Sequence, residues 1–291
     1  MIALHEPQDF ASDHGRTSPP RFQLSTVAAL GVEDAGYSIN IITRTLGDGE
    51  LAILFLSRQV DGMILLEIAT DDRRPEILRD HDYPFVMVGH RADNTGMTFV
   101  DVDIDHGIQT AMDHLVGLGH RQIGFVTTHP VVGDMTYAYT VFAFEAYSKA
   151  CMRLGLPPLP YASGTTTGEI SLAVGELLDH HPATTALIAA QTASAIGVLK
   201  LVYARSLKVP QDLSIVAVLT EPMGELSLPP LTTIDFPTEE LGAVGARMLI
   251  DRIDHGRTTP EQVFVRPAFT VRGSTGAARI QPGRETLVSS R

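Results

Sequence analysis

Apolar and polar positions along the 291-residue chain follow two periods in turn. Short runs rich in β-branched and aromatic residues predict strands over Ile2–His5, Tyr37–Thr43, Gly62–Glu67, Phe85–Gly89, Phe99–Val102, Ile123–Thr127, Thr185–Ala190, Ile215–Leu219, Val263–Arg266 and Phe269–Arg272. Between them, apolar residues recur three and four apart. That spacing predicts helices over Phe22–Ala35, Gly49–Ser57, Pro75–Arg79, Asp105–Leu118, Tyr137–Leu154, Gly168–His180, Ala193–Ser206 and Pro237–His255. Strands alternating with helices are the pattern of βαβ units, so an α/β protein with parallel sheets is expected. Ten strands are many for one simple domain, yet no Gly/Ser-rich linker divides the chain.

The sharpest pattern lies between Asp101 and Phe125. Ile108, Ala111, Met112, Leu115 and Leu118 form one buried helical face. Asp105 stands where an N-cap belongs, and Gly119 where the helix end tolerates positive φ. Asp48 and Thr192 are expected to cap two further helices.

Composition narrows the function. At 44% apolar the chain can bury a large core. No stretch approaches the roughly 18 apolar residues of a membrane span, so a soluble protein is expected. The first residues lack the basic and then apolar run of a secretory signal. The single cysteine, Cys151, excludes an internal disulfide framework and fits a reducing, cytoplasmic compartment. It sits in an apolar helical stretch, where a core role is favoured over a nucleophilic one. A net charge of −12, with 22 scattered Lys and Arg, opposes direct binding to nucleic acid.

The common catalytic signatures are missing from the sequence. The chain has no G-x-x-x-x-G-K-[ST], no G-x-S-x-G and no G-x-G-x-x-G after a strand. His180-His181 ends a helix, where a cation suits the dipole, and no two histidines share metal-ligand spacing with an acidic partner. Neither an enzyme, nor a metal, nor any other cofactor is expected.

The wording of several segments is more specific than their periods. Val102-Asp103-Ile104-Asp105-His106-Gly107 followed by His114-Leu115-Val116-Gly117-Leu118-Gly119-His120-Arg121-Gln122-Ile123 resembles the effector-binding core of LacI-type transcription regulators, with Ile104 in place of the usual Asn. Further landmarks follow in the same order: Ala35-Gly36-Tyr37, Asp61-Gly62-Met63-Ile64, Pro84-Phe85-Val86, Val209-Pro210-Gln211-Asp212-Leu213-Ser214-Ile215 and Pro229-Pro230-Leu231-Thr232-Thr233-Ile234. The resemblance runs from Ile2 to about Gly273. It implies two similar doubly wound parallel-sheet subdomains with a ligand cleft between them. Residues 1–118 plus 236–265 would form one and residues 119–235 plus 266–275 the other, with 276–291 as a flexible tail. Crossings would fall near Gly119-His120, Asp235-Phe236 and Arg266-Pro267. A small-molecule effector, a homodimer and operator DNA reached through a helix-turn-helix headpiece are the implied partners, and the chain is expected to begin after that headpiece. A solute-binding protein of a transport system shares this fold and is the rival reading; the G-H-R-x-I wording speaks against it.

Laying the family's effector contacts on this chain selects Phe22, Thr140, Thr165, Gln191 and Thr220. Phe22 fits a core role equally well. Thr140 stands where the family has an effector-binding Arg, so the bidentate donor is lost. Gln191-Thr192 replaces an Asn-Asp pair, Thr220 an acidic residue and Thr165 an aromatic. Arg91, His106, Tyr137, Tyr139, Asp9 and His90 are further groups that could orient a ligand. Hydroxyls and amides in place of an Arg–Asp pair imply a neutral, sugar-like or otherwise polar effector. The polar stretch 13–20 after the first strand is either a surface insertion or a lid.

Overall fold

The fold was read from a computed structural model that describes residues 1–7, 28–29, 31–132 and 135–279. Sheet one contains β1 (Ile2–His5), β2 (Ile39–Ile42), β3 (Gly62–Leu65), β4 (Phe85–Val88), β5 (Phe99–Val102) and β13 (Gln262–Val265). Its order is β13-β5-β4-β3-β1-β2, and every pairing is parallel. Sheet two contains β6 (Ile123–Thr128), β9 (Ala162–Gly164), β10 (Ala186–Ala189), β11 (Ser214–Leu219), β12 (Thr232–Asp235) and β14 (Ala268–Thr270). It runs β14-β12-β11-β10-β6-β9, with β14 alone antiparallel. The two sheets are therefore wound alike, each with its first strand second from an edge. The α/β architecture read from the sequence is present twice.

Burial follows from this layering. β1, β3, β4, β5, β10 and β11 are buried along their whole length, as parallel strands covered on both faces must be. Helices α1 (Asp48–Leu56) and α2 (Arg74–Asp80) close a core of Leu51, Phe55, Met63, Leu78 and Phe99 on one face of sheet one. α8 (Thr238–His255) packs across β3, β4 and β5 on the other. On sheet two, α5 (Thr167–His180) and α6 (Thr192–Ala204) cover one face, over Ile170, Val174, Val198 and Leu201. α4 (Ala138–Leu154) lies on the opposite face, and a one-turn helix, α7 (Glu221–Gly224), follows β11.

α3 (Ile104–Gly117) departs from the expected division of the chain. The sequence reading places it with sheet one, but it packs on β12, β14 and α4 of sheet two. Gly107 permits this approach, because a Cβ there would lie 2.8 Å from Ile234 Cγ2 and 3.0 Å from Pro267 Cγ. His114 adds a hydrogen bond to Thr275 (2.9 Å) and an edge-on contact with Phe269. The chain thus leaves sheet one at Asp103. The Asp103 N–H donates to the Val265 carbonyl at 2.8 Å, which sets two of the crossings side by side.

The helix start also differs from expectation. Asp103 is the N-cap, accepting from the His106 N–H at 3.0 Å, while Asp105 sits inside the first turn and holds the Gln109 amide. Gly47 and Gln191, in place of Asp48 and Thr192, occupy the other two cap positions. Gly119 ends α3 with φ of +93°, as its position suggests.

Four features among the described residues lay outside the predicted elements: β9, β12, the one-turn α7 and the hairpin of β7 (Val131–Val132) and β8 (Met135–Thr136). Phe22, Asp9, the stretch 13–20, most of the Phe22–Ala35 helix and residues 280–291 lie outside the described residues. Of the expected tail, Ala278 donates its N–H to the Leu118 carbonyl at 2.9 Å.

Candidate functional site: the cleft between the two sheets

In open α/β sheets ligands bind beyond the C-terminal strand ends, where the winding reverses. In sheet one that point lies between β1 and β3, past His5 and Leu66. In sheet two it lies between β6 and β10, past Thr128 and Ala190. The two points face each other. Thr70 N–H donates to the Thr136 carbonyl at 2.8 Å, Ala138 N–H donates to the Ile68 carbonyl at 3.1 Å, and Ala69 bridges Tyr137 antiparallel. From the end of β4, His90 stacks on Phe142 of α4 with ring centroids 4.3 Å apart.

The sheet-two wall is built of hydroxyls and amides. Gln191, the N-cap of α6, accepts from the Thr127 hydroxyl (3.0 Å) and the Thr128 N–H (2.8 Å), and donates to Thr140 (3.1 Å). Both ends of its amide are occupied by protein groups. Among the described residues no side chain caps α6, which leaves its first-turn N–H groups without a side-chain acceptor there. Tyr139 donates to the Ala190 carbonyl at 2.9 Å, and burial, followed by the nearby Asp101 carboxylate, pushes its phenol well above the usual range. The buried hydroxyl oxygens of Thr192 and Thr220 have no hydrogen-bond partner among the described residues. Buried polar groups are normally paired.

The sheet-one wall is ionic. Arg74 binds Asp72 at 2.6 Å in a buried pair and donates to the Leu66 and Glu67 carbonyls, both at 3.0 Å. Its NH1 meets His5 Nδ1 at 3.2 Å, and His5 Nε2 meets the Arg44 carbonyl at 3.1 Å. Burial, reinforced by the Arg74 charge, lowers His5 to about 4, so its ring is neutral near pH 7.

The structure gathers some of the residues chosen from sequence and separates others. Tyr137, Thr140 and Gln191 cluster where α4 meets the end of β10, and Thr220 ends the neighbouring β11. Thr165 is exposed and donates to Glu169 (2.6 Å), the residue that forms the capping box of α5 with Thr166. Arg91 is buried, donating to the Asp72 carbonyl (2.5 Å) and to Glu76 (2.9 Å), with its Nε unpartnered among the described residues. His106 stands exposed on the first turn of α3. The contact that sequence reasoning missed is the 68–70 strap against Thr136–Ala138. A signal for its hairpin exists in the Gly133-Asp134 pair between two β-prone runs. Among the described residues no cluster of His, Cys, Asp or Glu is suited to hold a metal, and no helix is long and apolar enough to cross a membrane.

Comparison with known proteins agrees with this architecture. Residues 112–275 match the periplasmic binding protein-like domain. The HTH-type transcriptional regulator CelR of Thermobifida fusca is 28% identical over 263 residues, 87% of this chain and 76% of its own length. The HTH-type transcriptional regulator MalR of Streptomyces coelicolor is 28% identical over 277 residues, 90% of this chain and 78% of its own. A solved CelR–cellobiose complex superposes with a TM-score of 0.81 at 25% identity, covering 94% of this chain and 84% of that one. These relatives are regulators rather than enzymes. With its paired sheets, facing switch points and regulator relatives, the chain belongs to the periplasmic binding protein-like domain family, as the effector-binding core of a LacI-type regulator.

Proposed function

We propose that the cleft senses a neutral, hydroxyl-rich small molecule, with a sugar as the leading class, and that Tyr137, Thr140, Gln191 and Thr220 form its sheet-two wall. The observation that carries this reading is the pair of unpartnered buried hydroxyls, Thr192 and Thr220, beside the uncapped start of α6. Hydroxyls complement a polyol, and none of these four side chains supplies the charged fork that a carboxylate or phosphate favours. The cellobiose bound by CelR supports the same class. Arg91 and His106 are less suited to contact, since one is engaged with Asp72 and Glu76 and the other is exposed on α3. The lobe boundary we favour is Asp103, with 1–102 plus 236–265 on one side and 104–235 plus 266–275 on the other. Operator binding is assigned to a helix-turn-helix headpiece outside this core, whose −12 charge opposes contact with phosphate.

The test is a thermal-shift and calorimetric screen. Neutral mono- and disaccharides, cellobiose included, are compared with sugar phosphates. A binder at 100 times its Kd should stabilise the fold by about 2.7 kcal/mol. Thr220→Val, which keeps shape but removes the hydroxyl, should weaken binding by a factor of roughly 2 to 10, the worth of one hydrogen bond of about 0.5–1.5 kcal/mol. Binding confined to dianionic sugar phosphates would sink the proposal.

A further inference from the structure

The two lobes are joined not only where the chain crosses between them but also across the mouth of the cleft. After β3, Glu67 adopts φ of +53°, a left-handed turn that a residue with a Cβ holds only when its surroundings impose it. The turn redirects Ile68–Thr70 away from sheet one. Arg74 fixes it by donating to the Leu66 and Glu67 carbonyls, and the Ala69 N–H points at Asp72, the acidic partner of Arg74 (3.5 Å). Gly89 lets this strap lie close, since a Cβ there would stand 3.0 Å from Ile68 Cγ1 at a φ of +117°. The strap then meets the β8–α4 junction of the other lobe as an added antiparallel strand. It uses the Thr70-to-Thr136 and Ala138-to-Ile68 backbone bonds and the Ala69–Tyr137 bridge. His90 on Phe142 forms a second point of contact, held by Asp101, which accepts from His90 Nδ1 (2.6 Å) and from its backbone N–H (3.0 Å). All of these contacts exist between protein groups alone.

We infer that residues 68–70, the β8–α4 junction and the His90–Phe142 stack form a clasp that holds the lobes together without any effector. Guest entry then requires the clasp to open, and opening is the step at which the signal is set. The inference rests on the two-lobed sensing reading above, but its test needs no ligand.

Ala138 is the first residue of α4, a position where proline is compatible with a helix, and Tyr137 before it is already extended (φ −69°, ψ 120°). Ala138→Pro therefore removes the N–H given to Ile68 and sets a ring in its path while leaving the helix able to form. Phe142→Leu keeps apolar bulk but removes the stacked ring. Spin labels at Leu56→Cys on α1 and Glu176→Cys on α5, in a Cys151→Ala background, read the distance between the lobes by pulsed electron resonance. The ligand-free parent should give one narrow distance. Both variants should shift it to longer and broader values while retaining helical circular dichroism. The Thr70 amide should also exchange at least about fivefold faster in Ala138→Pro, the factor that one net hydrogen bond is worth. A broad distribution in the ligand-free parent, or no shift in either folded variant, overturns the clasp. A closed parent that binds no sugar would instead overturn the proposed effector class and leave the clasp standing.

Discussion

Single residues here decide questions that patterns leave open. Two carboxylates, Asp103 and Asp105, stand at the start of α3, and either would satisfy a cap by composition. The backbone chooses Asp103, whose φ of −72° and ψ of 72° lie outside the helix while Asp105 is already within it. Asp103→Ala should accordingly cost about 1 kcal/mol in urea melts, the usual worth of an N-cap, and Asp105→Ala distinctly less. His5 shows the same limit of sequence. In the chain it is the last residue of an apolar strand, and only the fold places Arg74 against its ring. Unfolded, His5 takes up a proton near 6.5; folded, it does so only near 4. Its contribution is therefore complete above about pH 6.5 and is lost as pH falls toward 4, with an upper size of roughly 3 kcal/mol. Denaturant melts from pH 7.5 to 4.5 should show that decline, and His5→Asn should flatten it.

At the scale of elements, periodicity found seven of the eight helices among the described residues because their apolar faces recur over several turns; the one missed is the single turn α7, too short to show a period. It missed β9, whose Ala-Ser-Gly sequence carries no β-branched residue, and β12, which is separated from the Pro229-Pro230 pair by Leu231 alone. Which sheet a helix covers is not written in its period at all. α3 joined sheet two because Gly107 admits Ile234 and Pro267, a fact of close approach that no spacing rule contains. Gly107→Val should destabilise the core by about 1–3 kcal/mol through overpacking at this contact. By comparison Gly117, which has nothing within 4 Å of its Cβ position, should accept alanine with a slight gain in stability. Chemical denaturation of the two variants separates these outcomes.

For the whole molecule, the fold was legible because ordered motifs carried a family resemblance; alternating periods alone gave only an α/β protein of uncertain division. The site was legible in part. Gln191 and Thr140 do meet, whereas Thr165 turned out to serve a helix cap and Phe22 lies outside the described residues. Effector positions lie on loops whose neighbours come from distant segments, so a residue's alignment does not reveal whether its polar atoms are already engaged. Self-association belongs to this scale too. Leu226 and Leu228, 82% and 95% exposed, are large apolar side chains left on the surface of the second lobe. Sedimentation equilibrium should find a dimer that a Leu226→Glu, Leu228→Glu double variant shifts toward monomer.

In the division proposed above, the chain passes between the lobes three times, at Asp103, at Phe236 and at Pro267, and the first and third of these crossings share a backbone bond. A cut in any one of them leaves two tethers. Protein nicked once at a crossing should therefore run as two bands under denaturing electrophoresis yet elute from a sizing column as one particle, and its lobes should part only when all three crossings have been cut.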